Sequence, residues 1–196
     1  MSYNIDPIHF KDLAATDPDD IVQRTGAVFD SAASRIILPV WGHDYVIDPA
    51  RQTVSSADGF IPAQADYMFL FIVHYLLGST SAPASGEWVS EKDLPGGAAF
   101  FRGPHTLPTD IIVRAFGDDL ERFSKTCSGL GGQPMDMADA AFSFDIRPDI
   151  PVAVLYWRGD ADFGAEAKLL FDRSISRHLA LDIVYALAVM VCKTLG

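Results

Sequence analysis

The chain has 196 residues, 49% of them hydrophobic and 21% charged, the balance of an ordinary globular protein and enough for one substantial core, which excludes a disordered polar chain. A formal net charge of −11 and a pI near 4.6 repel phosphate backbones, and no Lys/Arg cluster reverses the sign locally, so neither nucleic acid nor a membrane surface is an expected partner. Its two cysteines, Cys127 and Cys192, stand far apart, whereas disulfide frameworks, zinc sites and iron–sulfur clusters need several at close spacing.

The opening residues Met1-Ser2-Tyr3-Asn4-Ile5-Asp6-Pro7 lack the basic start and apolar run of a signal peptide, so the expected location is cytoplasmic and reducing. Asp17-Pro18-Asp19-Asp20 marks a helix start, with Pro near the first helical position and acids in the first turn, and this short helix should stop by Gly26. Residues 35–40 are apolar and β-branched, Trp41-Gly42 turns, and residues 43–47 alternate; the reading is a hairpin, with a weaker third strand over 52–56.

Pro62 then opens a helix through Ala65, Met68, Phe69, Ile72, Val73 and Leu76 to Gly78, apolar almost all round and therefore deeply buried. The longest apolar runs, 67–77 and 183–192, fall short of the roughly 20 residues that span a bilayer and read as buried helices. Residues 79–86 form a breaker-rich loop, taken as a surface loop between strands that complete one sheet, not as an interdomain linker. Helices are expected over 108–116 and 118–128, broken at Gly117, with Gly129-Leu130-Gly131-Gly132 as the second helix's C-terminal cap. Strands follow over 140–145, 152–157 and 167–172, and a helix over 179–195 closes the chain.

Runs of strands with helices inserted between them predict an α+β fold, an antiparallel or mixed sheet covered by helices. The expected organisation is one domain over 1–196, with residues 1–25 as a helical lead-in to a core of 26–196.

Several segments occur in a specific order: Arg24-Thr25-Gly26-Ala27, His74-Tyr75-Leu76-Leu77, Gly86-Glu87-Trp88-Val89-Ser90, Leu94-Pro95-Gly96-Gly97, Phe116-Gly117-Asp118 and Gly131-Gly132-Gln133-Pro134. Asp139-Ala140-Ala141-Phe142, Trp157-Arg158-Gly159-Asp160, Glu166-Ala167-Lys168-Leu169-Leu170-Phe171-Asp172 and His178-Leu179 continue the series. Together they resemble the bacterial and archaeal family catalogued as domain of unknown function 3786, over nearly the whole chain after the first short helix. The resemblance implies a setting in anaerobic metabolism and carries over no activity or catalytic residues. Some relatives carry an iron–sulfur-type cysteine motif, which this sequence lacks.

Three sets of residues carry candidate chemistry. Glu87 and Trp88 beside the Leu94-Pro95-Gly96-Gly97 loop, with Phe100 and Phe101, can frame a small-molecule pocket in which desolvation tunes Glu87 as acid or base. The structural alternative is that Trp88 anchors the loop in the core, Glu87 caps a turn and the glycines serve turn geometry. Asp160, Asp162, Glu166 and Asp172 near Arg158 carry the oxygen ligands a hard cation prefers, but their spacing falls short of an EF-hand, and a solvated hairpin with Arg158 paired to Glu166 or Asp162 is the alternative. Of the five histidines, His74 reads as a core residue, while His105 and His178 lie at element edges, where they can converge with Asp172 or Glu87.

No nucleophile elbow, P-loop, dinucleotide fingerprint or helical metal pair is present, and no cofactor or metal is assigned. The sequence points first to a small-molecule or cofactor binding or accessory module around Glu87, Trp88, Gly96, Gly97, His105, Asp172 and His178. The alternatives are a hydrolase or transferase, should those carboxylates and histidines meet, and a subunit that docks a protein partner or forms a homo-oligomer.

Overall fold

The computed structural model describes residues 5–59 and 64–196. Helix α1 (Pro7–Ala15) starts at Asp6, whose carboxylate accepts from the Ile8 N–H. Helix α2 (Pro18–Thr25) follows the sequence signal residue by residue: Asp17 accepts from the Asp19 N–H, Pro18 takes the first position, and Gly26 ends the helix in the left-handed conformation. Phe10, Leu13 and Ile21 of these two helices are buried in the main core.

Strands β1 (Val28–Asp30), β2 (Arg35–Val40), β3 (His43–Asp48) and β4 (Thr53–Ser56) form an antiparallel sheet in chain order. Val40 pairs with His43 across the two-residue turn Trp41-Gly42, and both turn residues have positive φ, the geometry that matches strand twist. Trp41 accepts this strained backbone because its ring is anchored: the indole N–H donates to Leu130 O at 3.2 Å and the ring meets Phe144 edge-on.

Helix α3 (Ala65–Gly78) buries Met68, Phe69, Phe71, Ile72, Val73, Tyr75 and Leu76. Pro62, the expected start of this helix, lies outside the described residues. A two-residue strand β5 (Trp88–Val89) leads to a 3-10 turn (Glu91–Asp93) and the short helix α4 (Gly97–Phe100). Helices α5 (Asp110–Phe116) and α6 (Leu120–Gly129) break at Gly117 as expected. Gly132 N–H reaches back to Cys127 O at 2.9 Å, and Gly131 takes φ +80, so the glycine run is the cap of α6.

Strands β6 (Gln133–Met135), β7 (Ala140–Arg147), β8 (Ile150–Trp157) and β9 (Glu166–Asp172) join β5 in a second antiparallel sheet, ordered β5-β9-β8-β7-β6. Helix α7 (Leu181–Leu195) packs against α3 and α5. The α+β, antiparallel class therefore holds, but the strands make two sheets, correcting the expectation that strands on either side of residues 79–86 complete one. Each half of the strands pairs within its own sheet. The halves are joined by the Trp41 N–H bonding Ile146 O at 2.9 Å and by one shared core running through α3, α7 and both sheets. Alternate residues of the central strand β8 face this core or a smaller cluster of Ala141, Ala153 and Leu155 with Trp88, Trp157 and Leu170. That burial on both faces explains the unbroken apolar run of β8.

Candidate functional site

Glu87, Trp88 and Asp172 are neighbours across the β5–β9 pairing, yet each of the expected site residues is held by partners of its own. Glu87 is exposed and clamps Arg173 through two hydrogen bonds of 2.6 and 2.7 Å. The Arg173 guanidinium holds its carboxyl below the ordinary range, so Glu87 is an ionised surface acid. Trp88 packs in the smaller cluster with Leu170 and Trp157 rather than in the main core. Gly96 has φ +79 and faces the Leu181 side chain. A Cβ on Gly97 would lie 2.0 Å from Glu91 O, so these glycines close a tight corner and serve packing there. His105 stacks on Phe100 at 4.4 Å and meets Tyr185 edge-on.

Asp172 is buried, 1% exposed, and accepts from the Ser85 and Ser174 N–H groups, both of their hydroxyls, and the Gly86 N–H. Burial alone would raise its pKa; the hydrogen bonds from Ser174 and Ser85 outweigh this and hold it at about 2. It pins the loop before β5 to the 3-10 turn Arg173–Arg177 that ends at His178. Among the described residues no hydrogen bond or ion pair joins any two of Glu87, His105, Asp172 and His178. The acid–base constellation of those four is not assembled.

The acids after β8 build a hairpin turn. Asp160 accepts from the Asp162 and Phe163 N–H groups, and Asp118 from the Gly159 N–H. Glu166 pairs with Lys168 at 3.0 Å, not with Arg158. Among the described residues no group of three or more His, Cys, Asp or Glu is placed to share a metal ion. His74 contacts His9 edge-on at 4.4 Å and is only partly buried. Both cysteines are buried and free, with burial pushing each thiol up to about 12.

What does converge is a set around His178 whose other members lack any local motif. The end of α3 brings Tyr75 and Ser79, the β7–β8 turn brings Arg147 and Asp149, and the end of α2 brings Arg24 and Thr25. Tyr75 donates its hydroxyl to the Asp149 carboxylate, with oxygen separations of 2.9 and 2.8 Å. His178, 3% exposed, has Nδ1 2.9 Å from Ser79 Oγ and 3.5 Å from Asp149 Oδ2, and its ring lies over that of Tyr75. Burial lowers the His178 pKa, with Arg177 adding to the effect, against the upward pull of Asp149, the Ala82 backbone and Asp172. The ring is therefore neutral at neutral pH. A serine–histidine–aspartate relay needs serine and aspartate on opposite ring nitrogens; here both face Nδ1, so Ser79 is not an activated nucleophile.

The two arginines are consumed structurally. Arg147, 7% exposed, donates to Pro39 O and Thr25 O and lies over the Tyr75 ring, its Nε without a hydrogen-bond partner among the described residues. Arg24 donates to Ser79 O and Leu76 O at the end of α3, where a cation suits the helix dipole, and pairs with Asp20. In front of these groups lies a cleft of about 350 Å3, walled by Tyr75, Arg147, Asp149 and residues 80–84, within the size range of small-molecule sites. Its residues escaped the sequence reading because Arg147-Pro148-Asp149 looks like any polar strand turn. The available signal was the Tyr75 phenol inside the otherwise apolar stretch of α3.

The model of a family described as a domain of unknown function (DUF3786) matches residues 17–194. No curated protein and no solved structure matches the chain.

Proposed function

The chain belongs to the DUF3786 family, which brings no activity with it, and we propose that the protein is a cytoplasmic binding module whose ligand is a small molecule bearing a cationic or hydrogen-bond-donating group. The observation that carries this reading is the Asp149 carboxylate on the cleft wall. Among the described residues its one hydrogen-bond donor is the Tyr75 hydroxyl, beside a neutral His178, while both nearby guanidiniums are tied to carbonyls. A carboxylate has about four acceptor sites. A ligand ammonium or hydroxyl therefore finds spare acceptor capacity in a part-buried setting where a charge-assisted bond is strengthened. The net charge of −11 draws cations toward the surface, and Pro83, Ala84 and Pro148 offer apolar contact to the rest of the ligand. Free, buried thiols suit a reducing compartment.

The test joins a native mass spectrum of the purified chain to thermal-shift titrations with choline, spermidine and arginine at millimolar concentration. The expected result is a retained mass lost on denaturation, or a rise in Tm with at least one probe, abolished in Asp149→Asn. Neither signal in the wild type, or an equal response in Asp149→Asn, overturns the reading.

A further inference from the structure

We propose that the outer edge of β9 between Glu166 and Leu170 is a docking groove that takes up an extended segment of a partner protein as an added strand. The inference is independent of the cleft at Asp149. Strand β5 pairs with β9 at only two positions, Trp88 with Asp172 and Val89 with Phe171, whereas β9 pairs with β8 along its length from Glu166 to Phe171. Among the described residues no strand continues the sheet outward beside residues 166–170. In an antiparallel ladder alternate residues of an edge strand turn N–H and C=O outward, so this stretch presents a pairing template.

The edge lines a built groove. A cleft of about 510 Å3 is bounded by Glu166, Ala167, Lys168, Leu169 and Leu170 on one side and by residues 90–92 and 106–109 on the others. Side chains along a strand alternate between faces, so five consecutive residues share one cleft only through their common edge.

The segment that follows β5 does not fill it. After Val89 it turns away into the 3-10 turn Glu91–Asp93, where Ser90 and Asp93 cap one another. Gly97 packs so closely on Glu91 O that the turn is locked from behind. Lys168, the residue type that usually blocks an edge, is drawn along the sheet face instead, paired with Glu166 at 3.0 Å and lying over the Trp157 ring at 5.2 Å.

The recess decides the occupant. Residues 90–92 and 106–109 flank the edge, a recess that suits a lone extended strand better than the same edge of a second folded copy. The β5–β9 ladder sets its direction, antiparallel to β9 and continuing the line of β5. The register that follows places successive peptide residues opposite Leu170, Leu169, Lys168, Ala167 and Glu166. The first then joins the apolar cluster of Trp88 and Leu170. An acid opposite Lys168 and a base opposite Glu166 extend the Lys168–Glu166 pair across the strands.

The test uses the full chain labelled with nitrogen-15 and the capped peptide Val-Thr-Glu-Val-Lys, compared with the charge-exchanged Val-Thr-Lys-Val-Glu. The expected result is saturable amide shifts and slowed hydrogen exchange at alternate residues of 166–170, with the first peptide binding about two- to fivefold tighter. Lys168→Glu, an exposed substitution, should reverse that preference, and methylating alternate peptide nitrogens should abolish binding. Shifts confined to other segments, no shift at millimolar peptide, or an unchanged preference in Lys168→Glu overturns the proposal. So does a concentration-dependent dimer of the chain that protects the same amides without peptide.

Discussion

Replacing Asp172 by Asn probes the tightest polar anchor beside the β5–β9 junction. The aspartate Oδ1 takes the N–H and hydroxyl of both Ser85 and Ser174, and Oδ2 takes the Gly86 N–H at 2.7 Å. An asparagine can keep its oxygen at the Oδ1 position, but its amide then points N–H at the Gly86 N–H, and the charge that strengthens all five bonds is gone. A pKa lowered from 3.8 to about 2 corresponds to about 2 kcal/mol of stability at roughly 1.36 kcal/mol per pKa unit. Because the folded pKa is depressed, this stability is present above the unfolded value and lost as pH falls through the folded one. About half should remain at pH 3. Urea unfolding of wild type and Asp172→Asn at pH 7 and pH 3 measures this directly. The expected gap is about 2 kcal/mol at pH 7, with Tm lower by about 4–8 °C, shrinking by about 1 kcal/mol at pH 3. A gap under about 0.5 kcal/mol at pH 7, the scatter of ordinary surface substitutions, or one that does not shrink with acid, would refute the argument.

Gly97→Ala forces a Cβ against Glu91 O and should cost about 1–3 kcal/mol. Gly129→Ala meets nothing within 4 Å at the end of α6 and should be neutral or stabilising by up to about 1 kcal/mol; urea midpoints of the two variants check the contrast. Cys127 and Cys192, buried with thiols pushed to about 12, should resist Ellman's reagent at pH 8 in the native protein and react together on denaturation. The lowered His178 pKa means that the unfolded chain binds its proton more readily. Stability should therefore decline as pH falls below about 6.5 toward the folded value, and acid unfolding of His178→Gln should lack that component.

The sequence alone determined what depends on neighbours a few residues apart. Asp17-Pro18 with Gly26, the turn at Trp41-Gly42 and the glycine cap of α6 lie where the local signals put them, because capping and turn geometry need only adjacent backbone. The apolar runs announced buried α3 and α7 for the same reason. Only the tertiary structure decided how the strands divide into two sheets, since pairing partners are chosen by packing across the chain. It also chose the partners of the residues singled out in advance, giving Glu87 to Arg173 and Asp172 to serine and glycine donors. The cleft wall joins residues 74 apart, Tyr75 with Asp149, and 122 apart, Arg147 with Thr25, and the Ser79–His178 pair buried beside it spans 99. Such contacts follow no local period or spacing; burial in the folded core is what gives an ordinary Arg-Pro-Asp turn its electrostatic role.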